Sequence, residues 1–274
     1  MNHPGRSLRW DATGSRWWWS NSAAASLHAW SEADNATVTC KLPDRAGLLA
    51  HCRSGRLLVG LPKRLCLAGP AIPSRSAGQL KVQALVAVDA AEPRTGISDG
   101  CVDRRGQLVF GTGNASEDRR PIGSFYQFSG QHGLRRLALP AVAEASSICF
   151  SGDGSRMFFA DAAGGAIMSC DYDAERGRVS RIGIFAVLAE GSKARGSVID
   201  QAGCLWNAQP GQVVQYDGVG NVMRRIALDC AAPAFGGAAL DQLMAAGPAG
   251  LVLLPVQVQV GGHAEALFDD QAFK

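Results

Sequence analysis

The sequence predicts an all-β protein, and three observations make a six-bladed β-propeller the expected architecture. A turn containing Asp and Gly recurs along the 274 residues, and an alternating or apolar run follows each copy. The turn glycines Gly14, Gly55, Gly106, Gly154 and Gly203 lie 41, 51, 48 and 49 residues apart. Each unit has room for about four short strands, as in a propeller blade. We therefore expect residues 1–274 to form one propeller domain.

Six copies of the unit follow one another along the chain. The turns and the runs that follow them are WDATG with RWWWSN, CRSG with RLLVGL, VDRRG with QLVFGT, GDG with SRMFFAD, DQAG with CLWNAQ, and the degraded FGGAA with LDQLMAAG. Further strand-like segments are SLHAWSEADN, SFYQFSGQHG, AIMSCDYDAERG and QVVQYDGVGN. Turns with Asp and Gly reverse a strand because Gly accepts positive φ without steric cost. An antiparallel sandwich is the alternative, but it would not repeat at this period.

Three consecutive tryptophans lie in the first unit. Alternation within a strand places Trp17 and Trp19 on one face and Trp18 on the other. Both faces of a propeller blade are buried against neighbouring blades. We therefore favour packing between blades over stacking on a ligand.

The composition excludes several classes of function. The net charge is +3, from 27 basic and 24 acidic residues, which is too small for an electrostatic nucleic-acid binder. No run of about 18 apolar residues could span a membrane, and the first residues contain no apolar segment typical of a signal peptide. The eight cysteines form no CxxC or other metal-binding spacing. They are expected to be reduced and buried in a cytoplasmic protein without nucleic-acid or membrane partners.

Five segments resemble motifs of the regucalcin and gluconolactonase family, which includes senescence-marker-protein-like and luciferin-regenerating-enzyme-like proteins. They are SLRWDATGSRWWWSN, RTGISDGCVDRRGQLVFGTG, ASSICFSGDGSRMFFAD, ARGSVIDQAGCLWNA and PAFGGAALDQLMAA. They cover nearly the whole chain in the family's order. The resemblance implies a six-bladed propeller with a divalent metal at the mouth of its central channel, and hydrolysis of sugar lactones or related esters.

The family's metal-binding residues are replaced in this chain. The Glu of the family motif E-G-P-x-W falls on Arg6, and the Asn of S-N-G falls on Ser146. The Asp of P-D-G, which the family uses as metal ligand and acid/base, falls on Arg195. The resemblance thus implies the family's fold at these positions but not its metal site.

The family's substrate-binding residues are replaced as well. Its Arg and Asn fall on Gly96 and Ser98, and a later Glu falls on Ser116. The register of the loop 113–118 is open, so a neighbouring acid could take the place of Ser116. Asp99 survives from the family pattern together with several turn and scaffold residues.

These replacements reverse the charge of the mouth. The family's three ligands carry two negative charges, whereas Arg6, Ser146 and Arg195 carry two positive ones. A pair of unit charges about 4 Å apart is worth roughly 4 kcal/mol at an effective dielectric near 20. We therefore predict no metal cofactor. The two arginines also suggest an anion-binding mouth, because guanidiniums bind carboxylates and phosphates through two donors. Alternatively, both arginines point to solvent or pair with acids such as Asp99 or Glu144.

Three functions remain open from the sequence. In the first, a metal-independent hydrolase of a lactone or small ester uses Asp99 and Arg195 for catalysis. In that case Arg6, Ser98, Ser116 and Ser146 bind the substrate, a sugar lactone or small carboxylate. In the second, a non-catalytic propeller binds a small acid or a protein partner. In the third, an ordinary lactonase holds its metal through residues that the motifs do not identify.

Overall fold

The computed structural model describes residues 6–69, 78–247, 250–254 and 260–273, with only the backbone described for Arg6. Six antiparallel sheets surround a central channel and confirm the predicted six-bladed β-propeller. Blades 1 to 5 each contain four consecutive strands, and blade 6 contains three strands within the described residues. No helix in these ranges is long and apolar enough to cross a membrane.

The strands of blades 1 to 3 are β1 (Arg6–Asp11), β2 (Arg16–Asn21), β3 (Ser26–Ser31), β4 (Ala36–Lys41), β5 (Leu48–His51), β6 (Leu57–Leu61), β7 (Arg64–Ala68), β8 (Val82–Ala87), β9 (Thr95–Val102), β10 (Leu108–Asn114), β11 (Phe125–Ser129) and β12 (Gly133–Arg136). The strands of blades 4 to 6 are β13 (Ala145–Phe150), β14 (Arg156–Asp161), β15 (Ala166–Asp173), β16 (Arg178–Val187), β17 (Gly196–Ile199), β18 (Leu205–Gln209), β19 (Gln212–Tyr216), β20 (Val222–Ala227), β21 (Ala232–Gly236), β22 (Gln242–Gly247) and β23 (Gly250–Leu253). A short 3-10 turn covers Gln271–Phe273.

The first strand of every blade lies nearest the channel. These inner strands are β1, β5, β9, β13, β17 and β21, and each contacts the inner strand of the next blade around the ring. The repeated turns join the inner strand of a blade to its second strand. Gly106 in one of these turns has φ +83°, a conformation that a side chain would strain.

The three tryptophans pack between blades, as predicted. Trp17 and Trp19 lie in a cluster with Met244 of blade 6, and Trp18 lies in a cluster with Leu49 of blade 2. Their exposed fractions are 1%, 9% and 6% for Trp17, Trp19 and Trp18. The alternation of one strand thus joins blade 1 to both of its neighbours, including the blade at the other end of the chain.

The segment 260–273, which we call the C-terminal strap, crosses the end of the channel opposite the mouth. It contacts all six blades, and in blade order the contacts are Arg9 with Glu265, His51 with Phe268, Gly106 with Asp269, Gly152 with His263, Gln201 with Gly261, and Leu240 with Gly262. The described sheets contain only consecutive strands. The strap therefore links blades that the sheets leave separate.

Candidate functional site

A cavity of about 720 Å³ opens at the end of the channel near which the inner strands begin. It corresponds to the mouth that the sequence resemblance predicted, and we call it the mouth cavity. Four of the predicted site residues line it together, namely Ser98, Asp99, Ser146 and Arg195. The fold thus brings together residues from blades 3, 4 and 5.

The two serines of the mouth cavity link neighbouring blades. The Ser98 hydroxyl donates to the carbonyl oxygen of Ala145 at 2.9 Å, and the Ser146 hydroxyl donates to that of Ala194 at 2.9 Å. Both side chains are buried. Each hydroxyl oxygen keeps lone pairs that could accept a bond from a ligand, but its proton is already used by the protein.

Asp99 also connects two blades. Its Oδ1 accepts a bond of 2.8 Å from the Gly100 N–H, and its Oδ2 accepts one of 2.9 Å from the Ile148 N–H. Both carboxylate oxygens therefore hold the backbone below the mouth. The catalytic role assigned to Asp99 from the sequence remains a prediction.

Arg195 forms an ion pair at the wall of the cavity. Its Nη1 lies 2.6 Å from Oδ1 of Asp229 and donates to the carbonyl oxygen of Cys230 at 3.2 Å. Pairing with an acid was one of the two outcomes expected, but the acid is neither Asp99 nor Glu144. The pair reduces the net charge that Arg195 brings to the mouth, while the guanidinium still lines the cavity.

Arg6 and Ser116 are the two predicted site residues whose side chains are not seen at the mouth cavity. The backbone of Arg6 pairs with Ser20 in the first blade, and its side chain lies outside the described residues. Ser116 does not line the mouth cavity. Its N–H donates to Oδ1 of Asn114 at 2.9 Å, within the loop 113–118. Arg119, three residues further on, lines the cavity instead.

Cationic side chains outnumber acids around the mouth cavity. The cations that line it are Arg9, Arg119, Lys193 and Arg195, and the acids are Asp99 and Glu144. Arg119 pairs with Glu144 at 3.2 Å. The exposed Lys193 has no ion-pair partner in the part of the chain that the structure describes.

Arg9 is the site residue that the sequence patterns missed. It stands one position before Trp10, where the family motif allows any residue, so no motif marked it. Its Nε lies 2.8 Å from Oε1 of Glu265 in the C-terminal strap. Burial alone would lower the pKa of the Arg9 guanidinium, but its neighbours, Glu265 foremost, raise the pKa above its ordinary value. Arg9 is therefore a cation under the mouth at all physiological pH values.

The comparisons with known proteins agree with the fold and the motifs. The family model described as the SMP-30/Gluconolactonase/LRE-like region matches residues 4–246. The chain is 34% identical over 236 residues to an L-arabinolactonase of Azospirillum brasilense, covering 83% of this chain and 72% of that protein. It is 27% identical over 271 residues to a 6-deoxy-6-sulfogluconolactonase of Pseudomonas putida, covering 92% and 90%. The chain belongs to the SMP-30/gluconolactonase/LRE-like family.

Two solved structures have the same fold. A luciferin-regenerating enzyme superposes with a TM-score of 0.89 at 19% identity, covering 97% of this chain and 95% of that one. A regucalcin of Agrobacterium tumefaciens, titled a calcium-binding protein, superposes with a TM-score of 0.85 at 24% identity, covering 98% and 95%. At these identities the superpositions establish the fold alone.

Ser146 and Arg195, which the motifs place at two of the family's metal positions, supply no carboxylate or amide oxygen for a divalent cation. Hard divalent cations take carboxylate, carbonyl and amide oxygens. Here Ser146 offers one neutral hydroxyl oxygen, and the Arg195 guanidinium offers only N–H donors. The described residues contain no group of three or more His, Cys, Asp or Glu side chains that could hold a metal.

Proposed function

We propose that this chain is a divergent sugar-lactone hydrolase whose mouth holds its substrate through cationic side chains rather than through a divalent cation. The observation that carries the proposal is the Arg195 guanidinium on the mouth wall, at the position where the family has an Asp. A planar guanidinium binds a carboxylate or a carbonyl oxygen through N–H bonds, and it cannot lose its charge to become a metal ligand.

The surroundings of Arg195 support an anionic or strongly polar substrate. Lys193 lies on the same cavity and has no ion-pair partner among the described residues, so its charge is available to a ligand. The relative from Pseudomonas putida is named for a lactone with a sulfonate group. A lactone that carries a carboxylate or sulfonate is therefore the substrate class we propose, with Lys193 and Arg195 as its binding residues.

Hydrolysis would require a base that activates water. It would also require a group that stabilises the lactone oxygen on which negative charge develops. Arg195 would donate to that oxygen, and such donors lower the barrier because they face the charge as it develops. Asp99 is a carboxylate on the same cavity that could activate a water molecule. Its oxygens already accept two backbone N–H bonds.

The engagement of Asp99 favours a second candidate function. If the carboxylate serves only to join blades 3 and 4, the protein binds a small sugar acid or its lactone without turning it over. This candidate uses the same cationic residues and the same cavity. The two candidates differ only in whether the lactone ring is opened.

A panel of lactones tests both candidates. Purified protein is assayed on L-arabinonolactone, gluconolactone and glucarolactone with and without EDTA, and calorimetry measures binding of the corresponding sugar acids. EDTA-resistant turnover that is fastest on the anionic lactone supports the first candidate. Binding of the acids without turnover supports the second. EDTA-sensitive turnover contradicts the metal-independent site, and absence of both turnover and binding contradicts both candidates.

A further inference from the structure

Arg9 forms the floor of the mouth cavity. It lines the mouth cavity on one side and a second, smaller cavity on the strap side of the channel. Its side chain is 18% exposed. Arg9 therefore lies between the two cavities.

The Arg9 guanidinium is held on several sides but keeps donors to spare. Nε donates to Leu49 O at 3.1 Å, Nη1 to Leu8 O at 3.0 Å and Nη2 to Gly100 O at 2.7 Å. Nε also contacts Glu265, at 2.8 Å. A guanidinium has five N–H groups. One N–H on Nη1 and one on Nη2 thus have no partner in the described ranges.

Glu265 reaches Arg9 from the opposite end of the channel. It belongs to the C-terminal strap, and its second oxygen lies 3.2 Å from Nδ1 of the buried His51. The strap is fixed beside it, because the Phe268 N–H donates to the His51 carbonyl oxygen at 2.8 Å. The Glu265 carboxylate is therefore held by its contact with His51 and by the fixed strap backbone, in addition to its contact with Arg9.

We propose that Arg9 binds the anionic group of the ligand at the floor of the mouth cavity, and that Glu265 is the positioning residue that holds its guanidinium there. The inference rests on the proposed function, since it names the residue that binds the anionic group of the proposed substrate. The remaining N–H groups of Nη1 and Nη2 can bind one carboxylate through two donors. Without the Glu265 carboxylate, Arg9 would lose its ion pair and keep its hydrogen bonds to backbone carbonyl oxygens.

Glu265→Gln tests the positioning role, and Asp269→Asn is its matched control. Asp269 lies on the same strap and pairs with Arg53 at 2.8 Å, but that pair is exposed and remote from the mouth. Calorimetry with D-glucarate measures anion binding, and the uncharged D-glucitol serves as the neutral probe. We expect Glu265→Gln to weaken D-glucarate binding about tenfold, which corresponds to ~1.4 kcal/mol. Asp269→Asn should change it less than about twofold, as expected of an exposed pair.

Arg9→Lys provides a second variant that keeps the positive charge. NMR of the arginine side chains in the full chain identifies the Arg9 Nε–H signal by its loss in Arg9→Lys. D-glucarate should shift that signal in the wild type, and Arg9→Lys should bind D-glucarate more weakly, with circular dichroism showing that the variant is folded at the assay temperature. A merely structural Arg9 would leave the signal unmoved by D-glucarate.

The outcomes separate this inference from the proposed function. D-glucarate binding that leaves the Arg9 signal unchanged, or that survives both Glu265→Gln and Arg9→Lys, would overturn the role of Arg9 and leave the proposed function standing. Failure of the wild type to bind or turn over any sugar acid or lactone would overturn the proposed function, and the inference with it.

Discussion

The carboxylate of Asp99 accepts a hydrogen bond of 2.9 Å from the backbone N–H of Ile148, and this bond ties blade 3 to blade 4 directly below the mouth. The same carboxylate binds the N–H of Gly100 at 2.8 Å. An acid that the sequence suggested as a catalytic base is thus also a structural link. Its two roles can be separated experimentally.

Asp99→Asn should lower the free energy of unfolding by about 1–2 kcal/mol, because an amide has one acceptor oxygen where the carboxylate has two. Urea unfolding followed by tryptophan fluorescence measures the change. Asp34→Asn is the control, since Asp34 is exposed and makes only a long ion pair of 3.5 Å with Arg16. Unchanged stability together with loss of lactone turnover would instead identify Asp99 as a catalytic base.

The triple variant Arg6→Glu, Ser146→Asn and Arg195→Asp should create measurable binding of Mn²⁺ or Ca²⁺. The change restores two carboxylates and an amide oxygen at the family's metal positions, and hard cations bind such donors. Calorimetry with each metal provides the measurement. Arg195→Asp alone is the control, because a single carboxylate does not form a site. If the triple variant binds no metal, the residues around the three positions have diverged as well.

Gly236→Ala should destabilise the junction between blades 6 and 1. A Cβ at Gly236 would lie 2.4 Å from the ring of the buried Trp17, so the ring or the strand must shift. Overpacking of this kind costs about 1–3 kcal/mol. Thermal and urea unfolding measure the loss, and Gly165→Ala is the control because a Cβ there meets nothing within 4 Å. Equal stability of both variants would show that this junction tolerates expansion.

The attachment of the C-terminal strap should weaken at low pH. Burial alone would raise the pKa of Asp270, but hydrogen bonds from Ser54 and Arg56 hold it below its ordinary value of 3.8. A carboxyl with a lowered pKa stabilises the fold above pH 3.8, and that stabilisation is lost as the pH falls toward its pKa in the folded protein. Hydrogen exchange of the strap amides, corrected for the intrinsic exchange rate, should therefore accelerate as the pH falls below 3.8.

Asp270→Asn isolates this effect. The variant should show faster strap exchange already at neutral pH and a smaller further change on acidification. If the wild type and the variant respond to acid identically, Asp270 does not control the strap.

The sequence was sufficient for the blades because their signals are local. The spacing of turn glycines such as Gly106 and the alternation around Trp18 depend on neighbouring residues, and the same steric rules act in every blade. Matching the family motifs also placed Ser98, Asp99, Ser146 and Arg195 on one cavity. It did not place Ser116, because the loop that carries it has no repeating pattern.

The ion pairs around the mouth could not be predicted from the sequence, because they form only when the ring of blades closes. Asp229 reaches Arg195 and Glu265 reaches Arg9 because residues distant in the chain meet where different blades and the strap converge on the channel. No local pattern encodes such meetings, since each depends on how neighbouring blades and the strap pack together. The sequence alone therefore determined the propeller, because its signals are local, and the tertiary structure decided which charges pair around the mouth.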